Sequence, residues 1–330
     1  MSLRLSILLA SCLISLMIAG LLSLQLGEYP VLLAQLLDVA FGNSDRQLHF
    51  IIWELRLPRL IVAILAGSAL GISGALIQTL TRNPLASPGV MGITSGTALG
   101  VVVGIVTFNF SLQGMLLTGM LSGFFCGFIL YFLNCHNNLD PLQLTLSGVS
   151  ISLFCTAAIM VLLVTSSAEA NGLYFWLTGS LINRNWLHSQ HLLIYIPAAV
   201  LLSILLSKPL NLLCLSDEQC LTLGMNLQGW RLLYGSLVVL LVSATVTVTG
   251  PVGFIGLVAP HIVRMALGKP FGALDHHLLL PLSALTGASL FCVADVLSIV
   301  NQIPVGILVA CTGAPIFVYL IHKETRRYVQ

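Results

Sequence analysis

Arg56-Leu57-Pro58-Arg59 opens an apolar run that continues to Leu80, and Asn83-Pro84-Leu85-Ala86-Ser87-Pro88 follows closely behind it. The run is long enough to cross the hydrocarbon core of a bilayer, which takes about 20 residues. Because proline lacks the N–H that a helix interior needs, the second stretch predicts a turn where the helix ends. The segment therefore predicts a membrane-spanning helix with two cations at its entrance and Asn83 and Pro84 at its exit.

The composition extends this interpretation to the whole chain. Of the 330 residues, 57% are hydrophobic and 7% are charged, and the mean hydropathy is +1.02. Soluble domains carry about 25% charged residues. Long apolar runs cross a bilayer as helices, because a helix satisfies its own backbone hydrogen bonds. The predicted fold class is therefore all-α, a polytopic membrane protein in the lipid bilayer, and the net charge of +2 gives no support for nucleic-acid binding.

We predict ten transmembrane helices in a single domain of residues 1–330. The span at 251–268 contains two prolines and three glycines, so we expect it to be short or broken. An amphipathic stretch around Val31–Leu37 is typical of a helix that lies along the membrane surface. The predicted spans are Leu5–Leu26, Pro58–Leu80, Met91–Phe108, Leu112–Asn134, Leu139–Thr165, Gln190–Ser207, Arg231–Gly250, Pro251–Gly268, Asp275–Val300 and Pro304–His322.

The distribution of Lys and Arg predicts the orientation, because cytoplasmic loops carry an excess of these residues. With the N-terminus inside, four arginines fall on the outer side, and the remaining nine of the 13 basic residues fall on the inner side. Both termini are therefore predicted to be cytoplasmic. The outer four, which the rule disfavours, are Arg46, Arg56, Arg59 and Arg184.

Small residues and one acid stand out inside the spans. Gly67 and Gly71 have the spacing that lets helix backbones approach closely, and Gly74 follows them. Tight packing is the favoured interpretation, and the lining of a wide passage is the alternative. Asp295 lies late in its span, near the outer face, where we favour a structural role for it.

Signatures of other functions are missing from the sequence. It contains no His-Glu-x-x-His, Gly-x-Ser-x-Gly or Gly-x-x-x-x-Gly-Lys motif, so an enzyme or ATPase is not indicated. The histidines and the eight cysteines do not form a ligand set, and no metal site is predicted. A single intramembrane acid is no proton relay, which disfavours a secondary carrier driven by an ion gradient.

A short capped helix is predicted in the inner loop between the sixth and seventh spans, at about residues 216–226. Ser216 is a suitable N-cap, and Asp217 and Glu218 suit the first turn, where the helix dipole favours anions. Gly224 suits the position just after the helix end. Between these caps lie Gln219, Cys220 and Leu221. Such a helix, projecting from a bundle, is suited to a partner's groove.

Ordered blocks along nearly the whole chain resemble the FecCD/BtuC-type permease family, the membrane subunits of ABC importers for iron chelates and vitamin B12. Besides the two opening stretches, the blocks are Trp176-Leu177-Thr178-Gly179-Ser180, Leu221-x-Leu223-Gly224, Gly250-Pro251-Val252-Gly253-Phe254-Ile255-Gly256-Leu257-Val258-Ala259-Pro260-His261, Leu280-Pro281-Leu282-Ser283-Ala284-Leu285-x-Gly287-Ala288, Ala294-Asp295, Ile303-Pro304-Val305-Gly306 and Gly313-Ala314-Pro315. On this resemblance Gly253, Gly256, Pro260 and His261 join Gly67, Gly71, Gly74, Asn83, Pro84 and Asp295 as candidates for the transport pathway or its packing.

The resemblance implies a ten-helix permease of the type II, BtuC-like architecture in the bacterial cytoplasmic membrane. Its implied partners are a second permease subunit (identical or sister), two cytoplasmic ATP-binding subunits and a periplasmic substrate-binding protein. It implies that ATP is used by the partner and that this chain binds no cofactor. Arg56 and Arg59 would meet glutamates of the binding protein, and the helix at about 216–226 would be the coupling helix on the ATPase.

The sequence also departs from the family pattern. Ile299 stands where an arginine is frequent, and Gln302 stands where a glutamate is common, which leaves a third docking arginine in question. Leu24-x-Leu26-Gly27 and the pattern around Leu146-Ser147-Gly148 slightly resemble the ferric-dicitrate permeases. The expected cargo is an iron(III) chelate (a siderophore or ferric dicitrate), with vitamin B12 or haem as the alternative.

Overall fold

The computed structural model describes residues 2–108, 110–135, 141–165 and 170–328, and over these ranges the chain forms helices and no strands. A π-helical segment, Ile51–Arg56, and a 3-10 turn, Pro88–Met91, interrupt the series of α-helices. In chain order the α-helices are α1 Ser2–Gln25, α2 Leu33–Ala40, α3 Arg46–Phe50, α4 Leu57–Leu80, α5 Ile93–Val106, α6 Leu112–Asn134, α7 Pro141–Thr165, α8 Ala170–Leu177, α9 Trp186–Leu205, α10 Ser207–Leu212, α11 Asp217–Thr222, α12 Leu227–Thr249, α13 Ile255–Leu267, α14 His276–Asn301 and α15 Val305–Tyr328.

Seven helical segments within the described ranges are long and apolar enough to cross a membrane. They are Leu3–Gln25, Arg46–Leu80, Leu112–Asn134, Leu142–Thr165, Trp186–Leu205, Leu227–Thr249 and His276–Asn301. Three shorter apolar helices, at Ile93–Val106, Ile255–Leu267 and Val305–Val318, coincide with the remaining three predicted spans. The helical membrane fold is confirmed, whereas the count of ten spanning helices stays a prediction.

Several predicted boundaries are wrong by a few residues. The third span begins at Ile93 rather than Met91, because Pro88–Met91 forms the 3-10 turn and Gly92 adopts a left-handed φ of 73°. The sixth and seventh spans begin earlier than predicted, at Trp186 and Leu227. The eighth is short, as expected, and its helix has 13 residues. The start of the predicted fifth span, at Leu139, lies outside the described residues.

The second span begins much earlier than predicted, because α3, the π-helical segment and α4 form one continuous helix from Arg46 to Leu80. Pro58 has no N–H to donate, and its ring would clash with the carbonyl group four residues before it in a regular α-helix. The wider π-helical turn before it avoids this conflict, and the Leu57 N–H donates to the Ile52 carbonyl, five residues back.

Helix α4 is the centre of the bundle and packs against α14, α12, α13 and α9. Glycines allow the closest approaches. A Cβ on Gly67 would overlap the Gly287 carbonyl oxygen, and one on Gly71 would overlap the Ser283 carbonyl oxygen, both on α14. A Cβ on Gly74 would overlap the Gly256 carbonyl oxygen on α13. The structure thus places all three glycines in backbone-to-backbone packing.

The bundle has two ends that matter for function. The end at which α1 finishes and α4 begins is called the Arg59 end. The Asp217 end is the opposite one, at which α4 finishes and α12 begins. The residues predicted to lie outside collect at the first and those predicted to lie inside collect at the second, as the contacts below illustrate.

Candidate functional site: two charged ends of one bundle

At the Arg59 end, a buried ion pair joins α4 to α14. The Nη2 of Arg59 lies 2.7 Å from Oδ1 of Asp295, and its Nε lies 3.0 Å and 3.2 Å from the two carboxylate oxygens. The side chain of Asp295 is 1% exposed and that of Arg59 is 18% exposed. The structural role favoured for Asp295 therefore has a specific partner, and Arg59 keeps one edge at the surface.

Arg56, one turn earlier, points into the protein. Its Nη1 donates to the Leu24 carbonyl oxygen at 2.6 Å, and its Nη2 donates to the Tyr29 carbonyl oxygen. Leu24 belongs to the last turn of α1, where carbonyl groups lack helical partners and a cation is favourable. The residue is 9% exposed overall, so its guanidinium group fastens α4 to the end of α1.

Arg184 and two tryptophans complete the Arg59 end. The indole N–H of Trp186 donates to the Trp53 carbonyl oxygen at 2.9 Å, and the two rings stack with centroids 6.5 Å apart. Arg184 donates to the Ser180 carbonyl oxygen at 3.3 Å. Burial, and then the positive charge of Arg59, lower the pKa of Arg184 to about 10. A second guanidinium group therefore lies in the electrostatic range of Arg59, from a different segment of the chain.

Three of the sequence blocks meet at the same end through backbone hydrogen bonds. The Ser180 N–H donates to the Thr249 carbonyl oxygen at 2.8 Å, and the Gly306 N–H donates to the Gly179 carbonyl oxygen at 2.9 Å. Gly179 and Gly250 both have left-handed φ angles, of 79° and 73°. The turn after α8 is thus fixed against the end of α12 and the start of α15.

At the Asp217 end, α11 is a six-residue helix with both termini capped. The Ser216 hydroxyl accepts from the Gln219 N–H, and the Gln219 side chain accepts from the Ser216 N–H, which forms a capping box. At the other terminus Gly224, with a φ of 74°, donates to Leu221, and Met225 donates to Cys220. This is the Schellman arrangement. The predicted caps are confirmed.

The predicted extent of this helix, about residues 216–226, is wrong at its end. Helix α11 stops at Thr222, and Asn226 is instead the N-cap of α12, because its side chain accepts from the Gly229 N–H at 3.1 Å. Leu221 and Leu223 are 60% and 63% exposed. Glu218 is exposed beside them, and Cys220 is fully buried beneath them.

Asp217 binds two arginines at once. Its Oδ1 accepts from Nη2 of Arg82 at 2.6 Å and from Nη2 of Arg231 at 2.7 Å. Burial alone would raise the pKa of Asp217, but the hydrogen bonds from Arg231 and Arg82 outweigh it and hold the pKa below its ordinary value. The carboxylate is therefore ionised at neutral pH. We call this arrangement of Asp217, Arg82 and Arg231 the Asp217 fork.

Arg82 holds its position at a cost in backbone energy. Its φ is 47°, in the left-handed region, which is less favourable for an L-residue than the right-handed one by about 1–2 kcal/mol of conformational energy. It closes α4 because the Arg82 N–H donates to Thr79 and the Asn83 N–H donates to Gln78. Its Nε also donates to the Leu213 carbonyl oxygen at 3.1 Å. The predicted turn at Asn83 and Pro84 is present, and the Asn83 side chain accepts from the Leu85 N–H.

Buried polar groups surround the last turn of α4. Gln78 accepts from Nη2 of Arg264 at 2.6 Å, and the Thr79 hydroxyl lies 2.7 Å from Nε2 of His276. The Nδ1 of His276 lies 2.6 Å from the Asn211 side-chain oxygen. These bonds join α4 to α13, α14 and α10. The candidates Gly253, Gly256, Pro260 and His261 lie before or in α13, and the last three are buried.

The sequence did not reveal the fork or the Gln78–Arg264 contact. The sequence indicates Asp217 only through its place in the first turn of a helix, and Arg82 and Arg231 are two of the nine basic residues predicted on the inner side. The sequence contains one local signal for Arg82, which is its position between the end of an apolar run and Asn83-Pro84. Its left-handed φ is seen in the structure. The predictions for the functional roles of the candidate residues, and for the absence of a metal or cofactor, stay predictions.

A cavity of about 250 Å³ lies between α4, α5, α6, α7 and α12, toward the Asp217 end. Most of its lining is apolar, and the polar residues among its lining are Tyr131, Arg231 and Ser236. Arg231 is engaged by Asp217.

Comparison with known proteins agrees with the resemblance. Residues 15–323 match the FecCD transport family. Two Escherichia coli (strain K12) Fe(3+) dicitrate transport system permease proteins are each 37% identical. FecC matches over 294 residues, 86% of this chain and 86% of its own, and FecD over 331 residues, 93% and 96%. A solved structure of a metal-chelate type ABC transporter, described as inward-facing, has a TM-score of 0.86 at 31% identity and covers 96% of this chain and 99% of its own.

Proposed function

This chain belongs to the FecCD transport family, and from that premise we propose that it is the permease subunit of an ABC importer that carries an iron(III) chelate across a bacterial cytoplasmic membrane. The proposal includes a single transmembrane domain over residues 1–330, ten spanning helices and both termini in the cytoplasm. The names of the relatives FecC and FecD favour a citrate chelate among the iron(III) chelates.

The observation that carries the proposal is the form of α11. It is capped at both ends, presents Glu218, Leu221 and Leu223 outward, and is tied to the bundle by Asp217. A short helix with an exposed apolar face and an anchored inner face is suited to a groove of a soluble partner. The sequence has no phosphate-binding loop, so the energy must come from that partner.

The assembly that we propose has three further kinds of subunit. A second permease, identical or sister, lies beside this chain, a proposal that two sister permeases in one Escherichia coli strain support. Two ATP-binding subunits lie against the Asp217 end in the cytoplasm. A periplasmic substrate-binding protein docks at the Arg59 end. Closure of the ATP-binding subunits displaces α11, and the loaded binding protein favours one state of the bundle through its differential affinity.

The docking charge is divided unequally between the two predicted arginines. Arg59 has one exposed edge, so it can meet a carboxylate of the binding protein while it holds Asp295. Arg56 is more deeply engaged, and we assign it chiefly to positioning the start of α4. Arg184 lies near Arg59 and adds a positive charge at this end.

Uptake by the reconstituted transporter tests the proposal. The chain, its cognate permease, ATPase and binding protein are placed in proteoliposomes, and entry of ⁵⁵Fe from ferric citrate is measured with ATP or ADP. We expect entry that needs both ATP and the binding protein and that an uncoupler leaves unchanged. Accumulation of cyanocobalamin or haem, but not of iron, would reject the chelate assignment. Entry driven by a proton gradient without ATP would reject the transporter class.

A further inference from the structure

We propose that Asp217 is a positioning residue that transmits movement of the ATP-binding subunit to α4 through the Asp217 fork, an inference that rests on the proposed function. The residues involved belong to three segments: the loop after α4, the first turn of α11 and the first turns of α12. Nothing in the sequence pattern brings them together.

The two faces of α11 are chemically different. Leu221 and Leu223 are largely exposed, whereas Cys220 and Met225 are buried, and the Cys220 thiol lies 3.1 Å from the Leu212 carbonyl oxygen. Asp217 lies at the boundary, with 38% of its side chain exposed. A partner can therefore contact the outer face of α11 while Asp217 remains bound to Arg82 and Arg231. A displacement of α11 is then transmitted to the bundle through Asp217.

The fork holds α11 from both sides of its start. Arg82 donates to the Leu213 carbonyl oxygen, four residues before Asp217, and to Asp217 itself. Arg231, 4% exposed, donates to the same carboxylate oxygen from α12. Because one oxygen accepts both guanidinium groups, a shift of Asp217 must move or break both contacts.

Helix α4 connects this contact to the opposite end of the bundle. Arg82 follows its last turn, and Arg59, which holds Asp295, lies in its first turn. The two arginines are 23 positions apart, which corresponds to about 35 Å along a helix. Its glycine-mediated packing against α14 and α13 makes it move with those helices as a unit. One helix thus carries an ion pair at each end, and the fork is its connection to the ATP-binding subunit.

The backbone of Arg82 provides an independent argument. Glycine would adopt its left-handed φ without strain, and glycine is the residue usually found at this position after a helix. The presence of an arginine here is therefore explained by its side chain. Among the hydrogen bonds of the described residues, that side chain donates only to Leu213 and Asp217. If the role were only to end α4, glycine would serve as well.

The test compares Asp217→Asn and Arg82→Gly with Asp275→Asn in the complete reconstituted transporter. Asp275 is a suitable control because it is also an N-cap carboxylate at this end, but its bonds go to Asn211 and the His277 N–H. The measurements are iron transported per ATP hydrolysed, co-purification of the ATP-binding subunit and thermal stability.

We expect Asp217→Asn and Arg82→Gly to keep the ATP-binding subunit and to hydrolyse ATP, but to transport about tenfold less iron per ATP. Arg82→Gly removes the backbone strain, so its lost coupling cannot come from a failure to end α4. Asp275→Asn should keep the wild-type ratio.

A wild-type ratio in both Asp217→Asn and Arg82→Gly would overturn the inference and leave the proposed function intact. Loss of the ATP-binding subunit from both variants would also overturn it, because Asp217 would then act in docking. If the wild-type complex moves no ferric chelate with ATP, the proposed function fails and the inference fails with it.

Discussion

Each end of α4 carries an arginine–aspartate pair, and the two pairs differ in burial. At the Arg59 end, Asp295 is 1% exposed and accepts three hydrogen bonds from one arginine. At the Asp217 end, the carboxylate is 38% exposed and is shared between arginines of two segments. The first pair fixes two packed helices to each other. The second connects a short surface helix to the bundle and remains accessible to a partner.

The difference in burial means that the two pairs resist separation unequally. A buried pair resists separation because either ion alone would be left in a medium of low polarity. The Arg82–Asp217 pair can open and close at small cost, because its side chains are 27% and 38% exposed and water solvates both. The buried pair therefore suits the maintenance of the bundle, and the exposed pair suits repeated movement during a transport cycle.

The largest expected effect comes from the removal of the buried carboxylate. Asp295→Asn leaves the guanidinium group of Arg59 without its counter-ion, so we expect a loss of about 3–5 kcal/mol in the free energy of unfolding. Arg82→Gln at the other end opens only the half-exposed pair and leaves Asp217 bound to Arg231, so it should cost about 1 kcal/mol or less. Equilibrium unfolding in lipid bicelles measures both. Equal losses would contradict the distinction between the ends.

The next effect concerns the packing that joins the two ends. Gly71→Ala places a methyl group against the Ser283 carbonyl oxygen and forces α4 away from α14. We expect this change to lower the free energy of unfolding by about 1–3 kcal/mol. Gly235→Ala in α12 is the control, since a Cβ there meets no atom of the described residues within 4 Å. It should be neutral or stabilise the protein by up to about 1 kcal/mol. The same unfolding assay ranks the two, and a reversed order would refute the close packing of α4.

The smallest effect is on docking at the Arg59 end. The double change Arg59→Met and Asp295→Leu removes the pair without leaving a buried charge, so the fold should be largely retained. The affinity for the binding protein should fall by about two- to fivefold, as expected of an exposed charge pair. The loss should shrink as ionic strength rises, because salt screens exposed charges.

Surface plasmon resonance with the binding protein at low and high salt makes this measurement. Arg46→Gln is the control, since Arg46 is exposed at the same end and lies outside the ion pair. Unchanged affinity of the double variant at low salt would remove Arg59 from the docking surface.

Local features of the fold could be predicted from the sequence. The caps of α11 could be predicted because a serine, an acidic first turn and a glycine affect only backbone groups a few residues away. The apolar runs located the helices for a similar reason. The early start of the second span could not be predicted, because a proline normally marks the beginning of a helix. Here the π-helical segment Ile51–Arg56 accommodates Pro58, and the helix continues through it.

The pairing of charges could not be predicted. Arg59 and Asp295 are 236 residues apart, and Arg82 and Asp217 are 135 apart. The sequence placed the first two at the outer mouth and the second two at the inner surface, but hydropathy does not determine which side chains meet. That depends on the glycine contacts of α4 with α14 and on the left-handed turn at Arg82.

Site-specific photo-crosslinking in the complete transporter tests the central claim most directly. A photoreactive amino acid replaces Leu221, which is exposed at the Asp217 end, or Tyr29, which is exposed at the Arg59 end. We expect the residue at position 221 to crosslink to the ATP-binding subunit and the residue at position 29 to crosslink to the binding protein. Crosslinking of position 221 to the binding protein, or of position 29 to the ATP-binding subunit, would contradict the account.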